Sequence, residues 1–307
     1  MNFNLLIDGS YYMNKAYFVS YNEDETFHFQ KTCVSFMYMI RKLIYTYKPT
    51  KTIVVWDGEE NTDVRLKVYK DYKANRSRED KERYIIDQSK HVCYDILDEL
   101  NILQILSHGY EADDAVGFIS RNLEGKTLIL SGDEVFAQLI NEKVEFYLDN
   151  KKKYVKPNNF NDSFPFIKQN YLLFKAIDGK VSDNIKGVKG FSYNRLLKFF
   201  PNMSNEEYNI DRLMIEAKEY NKKSKLLDRL IESRTLIENN MFLLSLDDEK
   251  INKTERNAIY NVIANEETKT IKEKNILKQL NEYELINLLK GSDNSRLGNF
   301  IEPFINN

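Results

Sequence analysis

Cysteine and histidine are scarce in this chain of 307 residues: there are two of the first, Cys33 and Cys93, and three of the second, His28, His91 and His108. Two thiols build no disulfide framework and form no CxxC zinc pattern, which points to a reducing compartment. Three scattered histidines suggest no His-based metal site. Net charge is scarce as well, with 45 Lys and Arg against 47 Asp and Glu, a balance of -2. No whole-molecule basic field therefore advertises nucleic acid, although phosphate binding depends on where cations cluster and not on the total. No apolar run approaches the ~20 residues of a membrane-spanning helix. The opening "MNFNLLIDGS" has neither the basic start nor the long apolar centre of a secretory signal. Internal repeats and low-complexity tracts are missing too. The expectation is a soluble cytoplasmic protein of one to two domains with a sizeable core.

What is present is an alternation. The short apolar runs "FNLLID", "KTIVVWD", "ILQIL", "KTLILSGD" and "KVEFYL" read as strands. Between them "SFMYMIRKLIYTY", "IIDQSKHVCYDILDEL" and "EADDAVGFISRNL" place apolar residues at helical spacing. This order predicts an α/β fold with a mostly parallel central sheet flanked by helices. From about residue 165 the strand signals fade, and "NRLLKFF", "IDRLMIEAKEY", "LLDRLIESRTLIENNMFLLSL" and "ILKQLNEYELINLLK" read as helices. The expected division is an α/β core over residues 1–165 and a helical subdomain over 166–307. Residues 149–162, "DNKKKYVKPNNFND", read as a solvated linker between the halves, punctuated by Pro157.

Three expected strands end in aspartate: Asp8, Asp57 and Asp133. In open α/β sheets ligands bind beyond the carboxyl ends of the strands, so these acids are expected at one edge. "YEADD", residues 110–114, follows a fourth strand and brings Glu111, Asp113 and Asp114 to the same edge. Each acid also has an ordinary reading. An aspartate after a strand is common turn chemistry, and acids in the first turn of a helix meet its positive end, worth roughly 0.3–1 kcal/mol each. Taken together, acids from four strand ends form a cluster of hard oxygen ligands that suits Mg²⁺ or Mn²⁺. Without a cation, two carboxylates ~4 Å apart repel by about 1 kcal/mol in water and by more where water is excluded. A divalent ion on such a rim suits phosphodiester hydrolysis, which would require cations nearby for the substrate. Residues 63–78, "DVRLKVYKDYKANRSR", hold Arg65, Lys67, Lys70, Lys73, Arg76 and Arg78 interleaved with Tyr69 and Tyr72. That mixture suits phosphate contact with base stacking; its other reading is a solvated charged helix face.

The blocks "IDGSYYMNKAYF", "VRLKVYKDYKANR", "YEADDAVG" and "SDNIKGVKG" occur in this order. They resemble the opening strand and helix, the basic stretch, the central acidic motif and the duplex-binding turn of the 5′-nuclease family, the flap endonucleases and 5′→3′ exonucleases. The resemblance spans about residues 4–200, with a weaker echo in "IENNMFLLSLDD", residues 237–248. Length and helical tail are most similar to the phage primer-removing ribonuclease H of that family; its bacterial members include the nuclease domain of DNA polymerase I.

The resemblance implies a PIN-like 5′-nuclease core and a helix–three-turn–helix motif at about 176–200. It implies that Asp8, Asp57, Glu111, Asp113 and Asp133 hold a first Mg²⁺ or Mn²⁺, with Asp114 close by and Asp183 left over from a second site. Lys73, Arg65 and Arg76 would contact phosphates at the scissile bond, and Tyr72 would stack on a terminal base. Residues from about 64 to 90 would form a helical arch. Lys15, Lys67, Lys70, Arg78, Lys180 and Asn184 would also touch nucleic acid, and the turn with Gly187, Val188, Lys189 and Gly190 would meet duplex phosphates, with K⁺ there. The implied partners are DNA or RNA/DNA with a 5′ end, flap or junction, and replication proteins such as a polymerase, clamp or single-strand-binding protein. The implied setting is a monomer, with no membrane, in a bacterial cell or phage-infected host.

The pattern breaks at two acids. "SGDEVFAQL" has Val135 where the family carries a second aspartate, and "GKVSDNI" has Lys180 where it carries another. Glu134 or Asp178 would compensate only by shifting position. The expectation is a first metal site intact and a second crippled, with the Lys180 ammonium standing as a fixed positive charge. Ser192 replaces a family glycine and would be strained in a positive-φ turn, and Lys186 replaces a proline. Two functions fit: a metal-dependent nuclease acting in primer removal, or a nuclease-derived module that binds branched or 5′-ended DNA and cleaves poorly. A small-molecule phosphatase would leave the basic stretch and the SDNI turn without a role.

Overall fold

β1 (Phe3–Asp8) is apolar along most of its length and buried over its last five residues, as a strand covered on both faces must be. It lies inside a six-stranded sheet with β2 (Lys51–Trp56), β3 (Leu103–Leu106), β4 (Lys126–Ser131), β5 (Val144–Leu148) and β6 (Lys153–Val155), ordered β3-β2-β1-β4-β5-β6. The first five strands are parallel, with Ile7 opposite Val54 on one side and Leu130 on the other. The computed structural model describes residues 3–21, 28–222, 224–264, 271–286, 289 and 296–305. From β1 the chain first builds outward through β2 and β3, then returns to the other side as β4 and β5. The reversal point lies between β1 and β4, where ligand crevices form in sheets of this kind.

On one face pack α1 (Gly9–Ser20) and α2 (His28–Tyr47), followed, after the single turn α3 (Asp63–Leu66), by α4 (Asp80–Glu99). Phe36, Cys33, Trp56 and Ile96 meet there without solvent contact. The opposite face is covered by α5 (Ala112–Asn122), α6 (Tyr171–Asp178) and the later helices, around Val116, Ile119, Phe136 and Phe174. Each fully buried Leu, Ile or Phe contributes roughly 1.5–3 kcal/mol, so the two layers fix the sheet and hold its carboxyl edge still.

The second half is helical, as expected: α7 (Tyr193–Phe199), α8 (Ile210–Glu219), α9 (Lys225–Glu232), α10 (Arg234–Leu244), α11 (Lys253–Ala264), α12 (Glu273–Glu282) and α13 (Arg296–Ile305). A small hairpin, β7 (Gly179–Lys180) with β8 (Ile185–Lys186), follows α6. These helices pack back onto the sheet layers. Ile237 and Ile259 join the core around α5, and Ile276, Leu280, Phe300 and Phe304 join the core around α2 and α4. No described helix is long and apolar enough to cross a membrane.

Three expectations are corrected. The stretch expected as a solvated linker instead carries β6, paired antiparallel to β5 with Val155 opposite Phe146, and Val155 and Phe160 are buried. Its lysines suit an edge strand, where charge discourages pairing with another chain, and Pro157 starts a short 3₁₀ helix. The expected helix over 226–246 is broken at Ser233 into α9 and α10. The expected helix over 276–290 ends as α12 at Glu282, before Glu284 at φ 57°; its residues 287, 288 and 290 lie outside the described residues. Residues 64–90, the stretch expected as a helical arch, hold two helices joined by turns. They comprise most of α3, turns with Lys73 at φ 56°, and the start of α4, whose Ile85, Ile86 and Ser89 are buried against the body.

Candidate active site

The carboxyl ends of β1, β2 and β4 bring Asp8, Asp57 and Asp133 to one rim, and α5 begins there with Glu111, Asp113 and Asp114. Asp8 caps α1, accepting from Tyr11 N at 2.8 Å and from Ser131 Oγ at 2.6 Å. Burial pushes its carboxyl up to about 7, and the Asp57 and Asp133 charges add to this against the lowering effect of those hydrogen bonds. Asp57 accepts from Ala112 N and Asn61 Nδ2, both at 3.0 Å. Burial works to raise it too, but the Lys73 charge and these hydrogen bonds win, and it sits below the ordinary carboxylate range. Asp113 is raised well above that range by burial and by Asp133 and Asp8. Among the described residues no ion pair reaches Asp8, Asp57 or Asp113.

The remaining acids have cations of their own. Glu111 accepts from Tyr72 Oη at 3.0 Å, forms a close ion pair with Lys73, and lies 3.3 Å from Arg65. Both oxygens of Asp114 accept from Arg65, at 2.6 and 2.8 Å, and Asp114 is wholly buried. Asp114 is therefore turned inward, with its carboxylate engaged by Arg65. Arg65 is itself 2% exposed and donates Nε to Leu243 O at 2.8 Å, so its guanidinium is committed to partners within the protein. Tyr72, expected to stack on a base, is 5% exposed with its hydroxyl on Glu111. Its ring is covered. All three placements share a physical reason: a buried charge or hydroxyl must be partnered inside the protein.

Lys180 closes the outer end of the rim. Its ammonium is 2.6 Å from Asp133 Oδ2 and 2.7 Å from Asp183 Oδ2, while Asp183 Oδ1 holds Arg76. Burial would lower Lys180, but Asp133, Asp183 and Asp113 outweigh it and raise it. The two motifs "YKANR" and "VSDN" are joined here into one loop pair. Lys73 N donates to Asp183 O at 2.9 Å, Asn75 Nδ2 to Val181 O at 2.8 Å, Arg76 Nε to Ser182 O at 3.1 Å, and Asn184 Nδ2 to Asp71 O at 2.7 Å. Asn184, expected at nucleic acid, serves this junction.

Among the described residues, no three His, Cys, Asp or Glu side chains are already gathered closely enough to close on one ion. Asp8, Asp57, Glu111 and Asp133 are each drawn to a hydroxyl, amide or cation of their own. Lys67, Lys70 and Arg78 are exposed, Arg78 donating to Asn14 Oδ1 at 2.5 Å, and Lys15 pairs with Asp149. In the turn at 187–190, Val188 is buried and donates its N–H to Ile177 O at 2.7 Å. The carbonyls of Lys189 and Gly190 accept from Arg229 at 2.8 Å and Arg195 at 2.5 Å. Gly190 takes the positive φ, +94°, whereas Ser192 is extended at φ -140°, so the strain expected at serine is not there.

Several supports escape sequence reasoning. Ser131 holds Asp8, Ser10 Oγ accepts from Asp57 N at 2.9 Å, and Lys90 reaches Asp57 O. Gln138 and Arg121 bind the Leu244 and Leu246 carbonyls just after the Arg65 contact. Lys250, 4% exposed, is bound to Ser245 and lowered to about 8 by burial and by Arg65. Only "LILSGD", with its serine beside a strand-end aspartate, gave a local hint.

Residues 4–165 match the family of the 5′-3′ exonuclease N-terminal, resolvase-like domain. The chain belongs to the 5′-3′ exonuclease family. Its members are phosphodiester hydrolases, and so is this 5′-nuclease. It is 31% identical over 212 residues to a 5′-3′ exonuclease of Mycoplasmopsis pulmonis, covering 68% of this chain and 69% of that one. The fold is that of the bacteriophage T5 D15 protein co-crystallised with metal ions, at TM-score 0.70 and 20% identity, over 86% of this chain and 98% of that one. A T5 D15 flap endonuclease with one aspartate-to-lysine change, described as a pseudo-enzyme–product complex with DNA and metal ions, superposes at TM-score 0.66 and 21% identity over 86% of this chain and all of that one. In the 5′-nuclease described here, the carboxylate rim stands at the carboxyl ends of β1, β2 and β4, the loop pair meets it through Lys73 and Lys180, and the 187–190 turn is tied to α6 through Val188 N and Ile177 O.

Proposed function

We propose that this chain is a divalent-metal-dependent 5′→3′ exonuclease and flap endonuclease. It would act on DNA or RNA/DNA bearing a 5′ end or flap, in primer removal during replication. The observation that carries this reading is the inner rim, where Asp8, Asp57 and Asp113 stand at the strand ends and the start of α5 and, among the described residues, form no ion pair. Hard carboxylate oxygens suit Mg²⁺ or Mn²⁺, which Asp8, Asp57, Glu111, Asp113 and Asp133 would draw in to hold. When bound, such an ion supplies Lewis-acid activation of the phosphodiester and of water.

The chain's own residues do the rest. Lys73, partly exposed and paired with Glu111, is placed to exchange that partner for a phosphate. Exposed Lys67, Lys70, Arg76 and Arg78 extend a basic strip away from the rim, where they orient the strand without reading its sequence. The turn at 187–190 would hold duplex phosphates, with Arg195 and Arg229 standing on the carbonyls that K⁺ would otherwise occupy. The division of labour we infer is an α/β core up to about residue 165 that cleaves, and a helical part beyond it that grips duplex.

The test is incubation with a 5′-labelled flap in Mg²⁺ and in Mn²⁺, beside an Asp113→Asn variant. Cleavage that the variant loses supports the proposal. Tight binding without product in either metal would replace it with a module that binds branched or 5′-ended DNA.

A further inference from the structure

We propose that the Lys180 ammonium is a tethered cation that fills the outer end of the rim, so that this chain takes up one divalent ion, at the inner end, and not two. The inference rests on the metal-dependent reading above and sets how many ions that reading requires.

Both oxygens of Asp183 are engaged by cations, Oδ2 by Lys180 at 2.7 Å and Oδ1 by Arg76. Of the Asp133 oxygens, Oδ2 holds Lys180 at 2.6 Å and Oδ1 accepts from Val135 N at 3.0 Å. An ion bridging Asp133 and Asp183 would have to evict the ammonium. Eviction is disfavoured by position: the Lys180 side chain is 21% exposed, and β7, which carries it, is paired to β8 and follows directly on α6. Val135, the neighbouring side chain two residues on, has no oxygen to offer and is buried in the core. A second dication placed beside the ammonium would also meet like charge where solvent screens it little. At the inner end, among the described residues, no ion pair reaches Asp8 or Asp113; carboxylates stand beside both, and the Lys180 charge offsets those around Asp113 only in part. One exchangeable ion and one covalently tethered charge thus divide the rim.

The experiment is Mn²⁺ titration of the full chain, reading free Mn²⁺ by electron paramagnetic resonance, with flap cleavage measured in the same samples. The native protein is expected to bind one Mn²⁺ per chain. A Lys180→Asp, Val135→Asp double variant, with folding checked by circular dichroism, is expected to bind two. Two sites in the native protein, with cleavage intact, would overturn the role of Lys180 and leave the nuclease reading standing. One site in both proteins, the variant being folded, would overturn it as well. No site and no cleavage in the native protein would remove the nuclease reading itself, and this inference with it. Should the double variant not fold, the native count alone decides.

Discussion

Arg65 and Asp114 form a two-pronged ion pair at 2.6 and 2.8 Å in a place water does not reach. Breaking one partner of such a pair leaves a buried charge uncompensated, which costs roughly 3–5 kcal/mol. Asp114→Asn is therefore expected to destabilise the metal-free protein by about 3 kcal/mol. Asp113→Asn, one residue away, should be neutral or stabilising, because it removes a carboxylate raised by burial and by Asp133 and Asp8. Urea unfolding of both variants without metal checks this. Equal effects from the two substitutions would show that neighbouring aspartates do not have opposite roles.

That contrast also shows how far the sequence reaches. Asp8, Asp57 and Asp133 are legible because each closes a run that a parallel strand explains, and parallel strands deliver their carboxyl ends to one side. Asp114 is not legible, since successive helix residues point about 100° apart and nothing in "YEADD" says which acid turns inward. The partner is hidden for a related reason: Arg65 opens a uniformly basic stretch, yet it alone of that run's cations is buried. β6 is missed because "KKKYV" carries the lysines of an exposed edge, and its one inward residue is Val155. The C-terminal helices read as amphipathic without revealing what they cover. Phe300 and Phe304 find α2 only in three dimensions.

The rim should make stability depend on pH in an unusual direction. Asp8 titrates at about 7 in the folded chain against 3.8 as the ordinary value. Between those values the folded state holds a proton that the unfolded state has released, so stability falls as pH rises through the window. The lowered acids Asp57, Asp183 and Glu134 act the other way, but only as pH falls below the ordinary carboxylate range. Without metal, stability is expected to fall between pH 5 and pH 8 by on the order of a few kcal/mol, and the melting temperature with it. Mg²⁺ or Mn²⁺ should recover more of it at pH 8 than at pH 5, and Asp8→Asn should flatten the slope. A melting temperature that climbs over this range in the metal-free protein would contradict the assignment.

At the 187–190 turn the Lys189 and Gly190 carbonyls are taken by Arg229 and Arg195, both on exposed stretches of α9 and α7. If these guanidinium groups provide the positive charge there, duplex binding should be the same in K⁺ and in Na⁺ of equal ionic strength. Arg195→Ala with Arg229→Ala should weaken it about tenfold and lower the slope of log affinity against log salt by ~1 to 2. Fluorescence anisotropy on a blunt duplex measures both. A clear preference for K⁺ in the native chain would mean that the carbonyls serve an ion after all.

Gly187 tests whether that turn must be built as it is. A Cβ at this position would come within 2.1 Å of the Asp178 carbonyl oxygen and 2.6 Å of the Ile177 carbonyl oxygen, both backbone atoms. Those atoms cannot move without loosening the end of α6, where the Val188 N–H bonds Ile177 O at 2.7 Å. Gly187→Ala is thus expected to cost roughly 1–3 kcal/mol through overpacking. Because β7, with Lys180, begins immediately after α6, the damage should reach the rim as well as the turn. The variant should therefore lose cleavage along with duplex affinity. Loss of duplex affinity with full cleavage of a short single-stranded 5′ end would instead mean that the turn and the rim are mechanically independent.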